Sequence, residues 1–303
     1  MYNKLVLASL VVLNIATLVK ALSFSTNEEE TRIFGGSNTK GGEYLYVAGI
    51  HSNGPKSELF CGGVLIAPEY ILTAGHCLDM PMTDVYVTIG STSWLGGTSR
   101  EAQTIRVIKA YRHPRYFIQI ELVGVTHDVA VLKLETPSKL QPASLPTIDE
   151  YNYKPGIIAT VLGWGLINND TVANDLQAVD IAVLSNKKCA QLFANAKDRT
   201  TVDASVICAG TGHGKDACVG DSGGPLMIND VVVGIVSAGP NVCGVLPSTY
   251  ARVSFVLDFI NDIVRGGETG DVTDLLTNGS LLRLSSALQN EGEVDTYSAT
   301  LEV

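Results

Sequence analysis

The stretch Gly214–Leu226, GKDACVGDSGGPL, decides how the chain is read. It places four glycines, a proline and a cysteine around a single serine, Ser222. Glycine at that density marks backbone in conformations other residues avoid, or backbone that something must approach closely. A serine hydroxyl is a weak nucleophile until a base takes its proton. Ser222 therefore needs a histidine, an acid to orient that histidine, and N–H groups to hold an oxyanion.

Chain order sorts the possible partners. Gly220–Gly224 formally fits the G-x-S-x-G elbow of α/β-hydrolases, whose order is Ser, acid, His. No histidine follows His213, so that order cannot be built here. The subtilisin order, Asp, His, Ser, needs an aspartate before the histidine. The first aspartate is Asp79, which leaves His113, His127 or His213, and none sits in a matching motif. The order His, Asp, Ser is filled by His76 in LTAGHC, Asp128 in HDVAVLKL and Ser222 in GDSGGPL.

These pieces resemble the chymotrypsin-fold, trypsin-like serine proteases. RIFGG at 32–36, CGGVLIAPEYILTAGHC at 61–77, HDVAVLKL at 127–134, GWG at 163–165, ICAG at 207–210 and KDACVGDSGGPL at 215–226 follow the family's order. The resemblance implies His76, Asp128 and Ser222 as catalytic residues and the N–H groups of Gly220 and Ser222 as the oxyanion hole. It puts Asp216 at the floor of the substrate pocket, paired with Arg or Lys, with Ser237, Gly239 and Ser248 also around the substrate. The Ser237 hydroxyl is implied as a second partner of Asp128. Two departures bear on specificity: Ala238 stands where the family usually has tryptophan, and Ser248 replaces a glycine that keeps the pocket open.

The chain has 303 residues, 46% hydrophobic and 17% charged, which suits globular structure rather than disorder. Residues 1–21 carry Lys4 and an apolar run from Leu5 to Val19, expected as a secretory signal peptide rather than an anchor. Residues 22–32, with Glu28, Glu29 and Glu30, are expected as a propeptide cut after Arg32. By resemblance, the new ammonium at Ile33 pairs with Asp221 and orders the oxyanion loop. Cys61, Cys77, Cys189, Cys208, Cys218 and Cys243 form no CxxC pair, which favours disulfides over zinc. Fifteen connectivities are open to six cysteines; the resemblance implies Cys61–Cys77, Cys189–Cys208 and Cys218–Cys243.

Short alternating strands separated by Gly, Pro, Ser and Asn turns indicate an all-β barrel or sandwich. The resemblance implies two six-stranded antiparallel β-barrels, about 33–140 and 150–252, within a peptidase domain at 33–265. Val253–Val264 has apolar residues at helical spacing and is expected as a terminal helix. Net charge is −10, and residues 266–303 carry seven acidic side chains and one basic one, so a disordered acidic tail is expected there. No basic patch suggests nucleic acid. Asn169 and Asn278 head N-glycosylation triplets. Glu101 is the only acid in GSTSWLGGTSREAQ, so no metal or other cofactor is expected. The functions that compete are a secreted endopeptidase cleaving after Arg or Lys, a binding or inhibitor protein on the same scaffold such as the glucanase-inhibiting proteins, and an esterase. A polypeptide partner, possible proteinaceous inhibitors, no membrane contact and a monomer complete the expectations.

Overall fold

The computed structural model describes residues 35–278, apart from 81, 97–98, 120–123, 148–152, 169–170, 213 and 241. The expected signal peptide, the propeptide, Arg32, Ile33 and Asn169 lie outside the described residues, as does the side chain of Asn278.

Alternation dictates the strands. In β11 (Gln177–Leu184), Gln177, Val179, Ile181 and Val183 are buried, while the residues between them face outward. The second barrel joins β10 (Ile158–Gly163), β11, β12 (Val206–Ala209), β13 (Pro225–Ile228), β14 (Val231–Ala238) and β15 (Ser248–Arg252). It runs β11-β10-β13-β14-β15-β12 and closes through a β11–β12 pairing. The first barrel closes in the order β2-β3-β4-β9-β6-β5, from β2 (Val47–His51), β3 (Leu59–Ala67), β4 (Tyr70–Thr73), β5 (Tyr86–Ile89), β6 (Gln103–Arg112) and β9 (Ala130–Leu134). A hairpin of β7 (Phe117–Gln119) and β8 (Gly124–Thr126) lies between β6 and β9. Closure pairs every strand of each barrel on both sides, apart from the start of β11, which extends past its pairing with β12.

Three features depart from the expected boundaries. The stretch after residue 35 does not belong to the first barrel: β1 (Ser37–Asn38) pairs with β11 of the second, because Gln177 and Ala178 offer it a free ladder edge. An unforeseen helix, Asn186–Asn195, starts at Ser185, whose side chain caps the Lys188 N–H, and it buries Cys189 and Phe193. The terminal helix is shorter than expected, a 3-10 turn at Val253–Phe255 followed by an α-helix at Leu257–Val264.

The expected disordered tail is also corrected over its first part. Residues 266–277 fold back on the first barrel: the Val272 N–H donates to Ala110 O at 2.9 Å, and the Arg112 N–H donates to Gly270 O at 2.8 Å. Leu275 and Leu276 end in the core at 7% and 5% exposure. Those two leucines supply the apolar area that the acidic composition hides, about 1.5–3 kcal/mol each when fully buried.

The disulfides are Cys61–Cys77, Cys189–Cys208 and Cys218–Cys243. The first ties β3 to the 3-10 turn that follows β4, and the second ties the Asn186–Asn195 helix to β12. The third ties the Ser222 loop to the segment that leads into β15. Among the described residues, no helix is long and apolar enough to cross a membrane.

Candidate active site

His76 lies in a 3-10 helix, Gly75–Asp79, that begins where β4 ends. Asp128 sits just before β9, the strand paired with β4, so ladder geometry brings the two together. Asp128 is 1% exposed, and a carboxylate so buried needs donors. It has three: the His76 backbone N–H at 2.8 Å, His76 Nδ1 at 2.8 Å, and the Ser237 hydroxyl at 2.5 Å. Ser237 comes from the second barrel, at a bulge where the β14–β15 register shifts between Val236 and Ala238. Such a bulge re-aims the side chain it carries.

Burial alone would lower the His76 pKa. The hydrogen bond and charge of Asp128, with a contribution from Asp79, outweigh it and hold the imidazole above its ordinary value. His127, although adjacent in sequence, turns away with φ +51° and stacks on His113 at 4.7 Å. His51 is buried with Nδ1 2.8 Å from Ser57 O, and His213 lies outside the described residues.

The Ser222 loop docks across the seam between the barrels. Gly62 N–H donates to Ser222 O at 2.7 Å, and Gly223 N–H donates to Val236 O at 3.0 Å. Gly223, at φ +79°, lies so close that a Cβ there would stand 2.3 Å from Thr73 Oγ1 and 3.3 Å from Ala74 N. The loop thus abuts the chain two and three residues before His76. Among the described residues, neither the Gly220 nor the Ser222 N–H is donated to a backbone acceptor, whereas Asp221 N–H is donated to Cys218 O.

Asp221 is 0% exposed. It accepts from Gly165 N–H at 2.7 Å and Cys218 N–H at 2.9 Å. Burial raises its pKa to about 6, against the opposing pull of those two bonds. The GWG motif exists for this contact, since a Cβ at Gly163 or Gly165 would fall 2.2 or 2.4 Å from an Asp221 oxygen. Gly35, two residues after Ile33, packs against the same loop: a Cβ there would lie 2.6 Å from Gly214 O.

Asp216 is also 0% exposed, and Ser248 is 1% exposed. Asp216 accepts from Ala217 N–H at 2.8 Å and Gly244 N–H at 3.3 Å. Burial raises its pKa to about 7, partly offset by hydrogen bonds from the Ser248 hydroxyl and those two N–H groups. A Cβ at Gly239 would lie 2.7 Å from Ser248 Oγ, so the serine fills the space between Asp216 and Gly239. The carboxylate expected at the floor of a pocket narrowed by Ser248 is fully closed off from water. Among the described residues, the one His/Cys/carboxylate trio at metal-ligand spacing is Cys61, His76 and Cys77, and both its sulfurs are in a disulfide.

A chain of two antiparallel barrels with this seam geometry defines a trypsin-like protein, and the comparisons agree. The family model described as Trypsin matches residues 33–260, so the chain belongs to the trypsin family. It is 34% identical to glucanase inhibitor protein 2 of Phytophthora infestans over 245 residues, 77% of this chain and 90% of the relative. Glucanase inhibitor protein 4 of the same organism is 36% identical over 231 residues, covering 73% of this chain and 85% of the relative. Cathepsin G of Mus musculus is 31% identical over 243 residues, 78% and 87% of the two chains.

Sequence reasoning missed Asp79, Arg112 and Tyr116, which form a hydrogen-bonded group beside His76. The signal available was Asp79 three residues after His76, but its partners are distant in sequence and carry no motif.

Proposed function

We propose that the chain is a secreted serine endopeptidase, made as a zymogen cut after Arg32. The observation that carries this reading is the Asp128 carboxylate receiving His76 N, His76 Nδ1 and Ser237 Oγ directly beside the Ser222 loop. In this reading Asp128 fixes the tautomer that leaves His76 Nε2 as base. His76 takes the Ser222 proton as the hydroxyl attacks the peptide carbonyl, then gives it to the leaving amine. Gly220 and Ser222 N–H groups receive the oxyanion, at a value of roughly 10²–10³ in turnover per donor. Asp216 is the group that would select Arg or Lys, and Ser248 holds it back, so cationic selection is weak. Three disulfides fit an oxidising, extracellular destination.

The test uses the chain after cleavage at Arg32, beside Ser222→Ala. A fluorophosphonate should label only the chain with Ser222, and only that chain should hydrolyse peptide amides. Equal hydrolysis by both proteins removes the reading.

A second reading is a glucanase-inhibiting binding protein, and the names of the similar Phytophthora proteins favour it. Exposed Val219, Val242 and Val245, at 72%, 59% and 58%, supply apolar contact area on the loops joined by Cys218–Cys243. Here Ser222→Ala should inhibit a glucanase as strongly as the unsubstituted chain. Loss of inhibition in the variant, or none in either protein, rejects it.

A further inference from the structure

We propose that Asp79 is a positioning residue for His76, and that the segment 266–277 acts on the site through it by fixing Arg112. The inference rests on the reading that His76 and Ser222 do the chemistry, and the segment it assigns a role, 266–277, lies beyond the 33–260 family match.

Asp79 closes the 3-10 helix that carries His76. Its two oxygens are divided between two partners: Oδ1 accepts from Arg112 Nη1 at 2.5 Å, and Oδ2 accepts from the Tyr116 hydroxyl at 2.5 Å. The Arg112 guanidinium also lies over the Tyr116 ring, 4.7 Å from its centroid, which closes the group into a triangle. The Arg112 side chain is 15% exposed and that of Asp79 43%, so the pair is half open to water and the Tyr116 hydroxyl and ring supply its second and third contacts.

Tyr116 links the triangle to the triad. A Cβ at Gly75 would stand 2.9 Å from Tyr116 Cδ2 and 3.2 Å from Asp128 Oδ1. The phenol ring therefore lies against the backbone from which the His76 N–H reaches Asp128, on a side open to solvent if the ring left. Asp79 keeps the ring there. Its charge also faces His76 from the same helix, while Asp128 faces it from the start of β9.

The segment 266–277 reaches the triangle at Arg112. Gly270, at φ +72°, passes so close that a Cβ would meet Arg112 O at about the length of a steric collision, 2.0 Å. Arg112 N–H donates to Gly270 O, Asp271 bridges to Tyr111, and Ala110 N–H donates to Thr273 Oγ1 at 3.2 Å. Three successive β6 residues are therefore clamped from outside, and Leu275 and Leu276 anchor the clamp in the core. The other edge of β6 at this point pairs Arg112 with Ala130, two residues after Asp128. Release of the clamp loosens Arg112, then Asp79, then the cover over Asp128.

The test compares the full chain with Asp79→Asn, Tyr116→Phe and Gly270→Ala, with folding of each checked by thermal unfolding. The decisive readout is proton NMR of the His76 Nδ1 proton shared with Asp128. Its exchange with water should be on the order of tenfold faster in Asp79→Asn and Gly270→Ala. After cleavage at Arg32, kcat should fall by about tenfold to a hundredfold with KM little changed, as expected for a misplaced base. Asp79→Glu, which keeps the charge, should recover part of it. Folded variants with unchanged Nδ1 exchange overturn the proposal, whatever their activity. Faster exchange in a chain that hydrolyses nothing supports the positioning role and sinks the protease reading instead.

Discussion

Replacing Ser248 with glycine should convert a weak preference for cations into a strong one. Ser248 is 1% exposed and its oxygen fills the space beside Gly239, while Asp216 behind it is 0% exposed. A guanidinium that reaches Asp216 gains hydrogen bonds to a charged group, each worth about 1.5–3 kcal/mol. One such bond corresponds to roughly tenfold to a hundredfold in kcat/KM, since about 1.4 kcal/mol is a factor of ten. Ser248→Gly should therefore raise kcat/KM for Arg- and Lys-amides by that factor and leave Phe- and Ala-amides within a few fold. The cost is stability: glycine in a strand loses about 0.5–1 kcal/mol. The assay is kcat/KM on the four amides, normalised by fluorophosphonate titration of Ser222. A second substitution, Asp216→Asn, should erase the gain. No gain on Arg and Lys, or a gain that survives Asp216→Asn, refutes the argument. The same geometry predicts a pH dependence. The Asp216 pKa is raised to about 7, so its carboxyl is neutral below that and cannot pair with a guanidinium. The ratio of Arg to Phe cleavage should rise as pH passes upward through about 7.

Cleavage after Arg32 should stabilise the chain, by a margin that grows as pH rises from the ordinary carboxylate range to about 6 and then levels off. Asp221 has its pKa raised to about 6 by burial, so the uncut chain loses stability as pH rises from the ordinary carboxylate range to that value. An ammonium at Ile33 that pairs with it removes the loss; thermal unfolding of cut and uncut forms from pH 4 to 8 reads the difference, and parallel curves reject the pairing. Ser237→Ala should lower kcat by about tenfold, because the buried Asp128 loses one of three donors at a cost of about 1–3 kcal/mol; unchanged kcat would show Ser237 to be structural only. Since the His76 pKa is raised, activity should fall on acidification from a point above its ordinary 6.5, and Asp128→Asn should move that limb to lower pH; a limb that stays in place denies the coupling.

The parts of the site legible in sequence were those where one short segment does one physical task. GDSGGPL needs its glycines because Gly223 touches Thr73 and Ala74, and GWG needs its glycines because Asp221 fills the space their side chains would take. Six cysteines in fixed order and period-two burial, as in β11, were legible for the same reason. What stayed hidden depends on contacts between segments that have no motif. The helix at Asn186–Asn195 is announced only by the Ser185 cap, and β1 joins the second barrel because β11 extends past β12. The acidic composition of residues 266–303 concealed two buried leucines, since composition averages over a segment whose first twelve residues pack, with Glu268, Asp271 and Asp274 facing out among them.

The seam between the barrels explains why the parts of the proposed triad are so far apart in the chain. Barrel one supplies His76 and Asp128 through the β4–β9 ladder, and barrel two supplies Ser222 and Ser237. The backbone contact Gly62 N–H to Ser222 O and the bond from Ser237 to Asp128 therefore both hold the proposed catalytic geometry and join the two barrels. A substitution that weakens the adhesion anywhere along the seam should reach the chemistry first, before unfolding. Trp164, buried at 2% and donating its Nε1–H to Thr92 O at 2.8 Å across the seam, is the place to see it. Trp164→Phe leaves the ring volume largely filled and removes the indole donor, while Thr92 O keeps its bond from Leu176 N–H at 2.6 Å, a net loss of about 0.5–1.5 kcal/mol. Turnover should drop at temperatures where circular dichroism still reports a folded protein. If activity and fold are lost together on heating, the barrels do not slip independently and the seam is no weaker than either core.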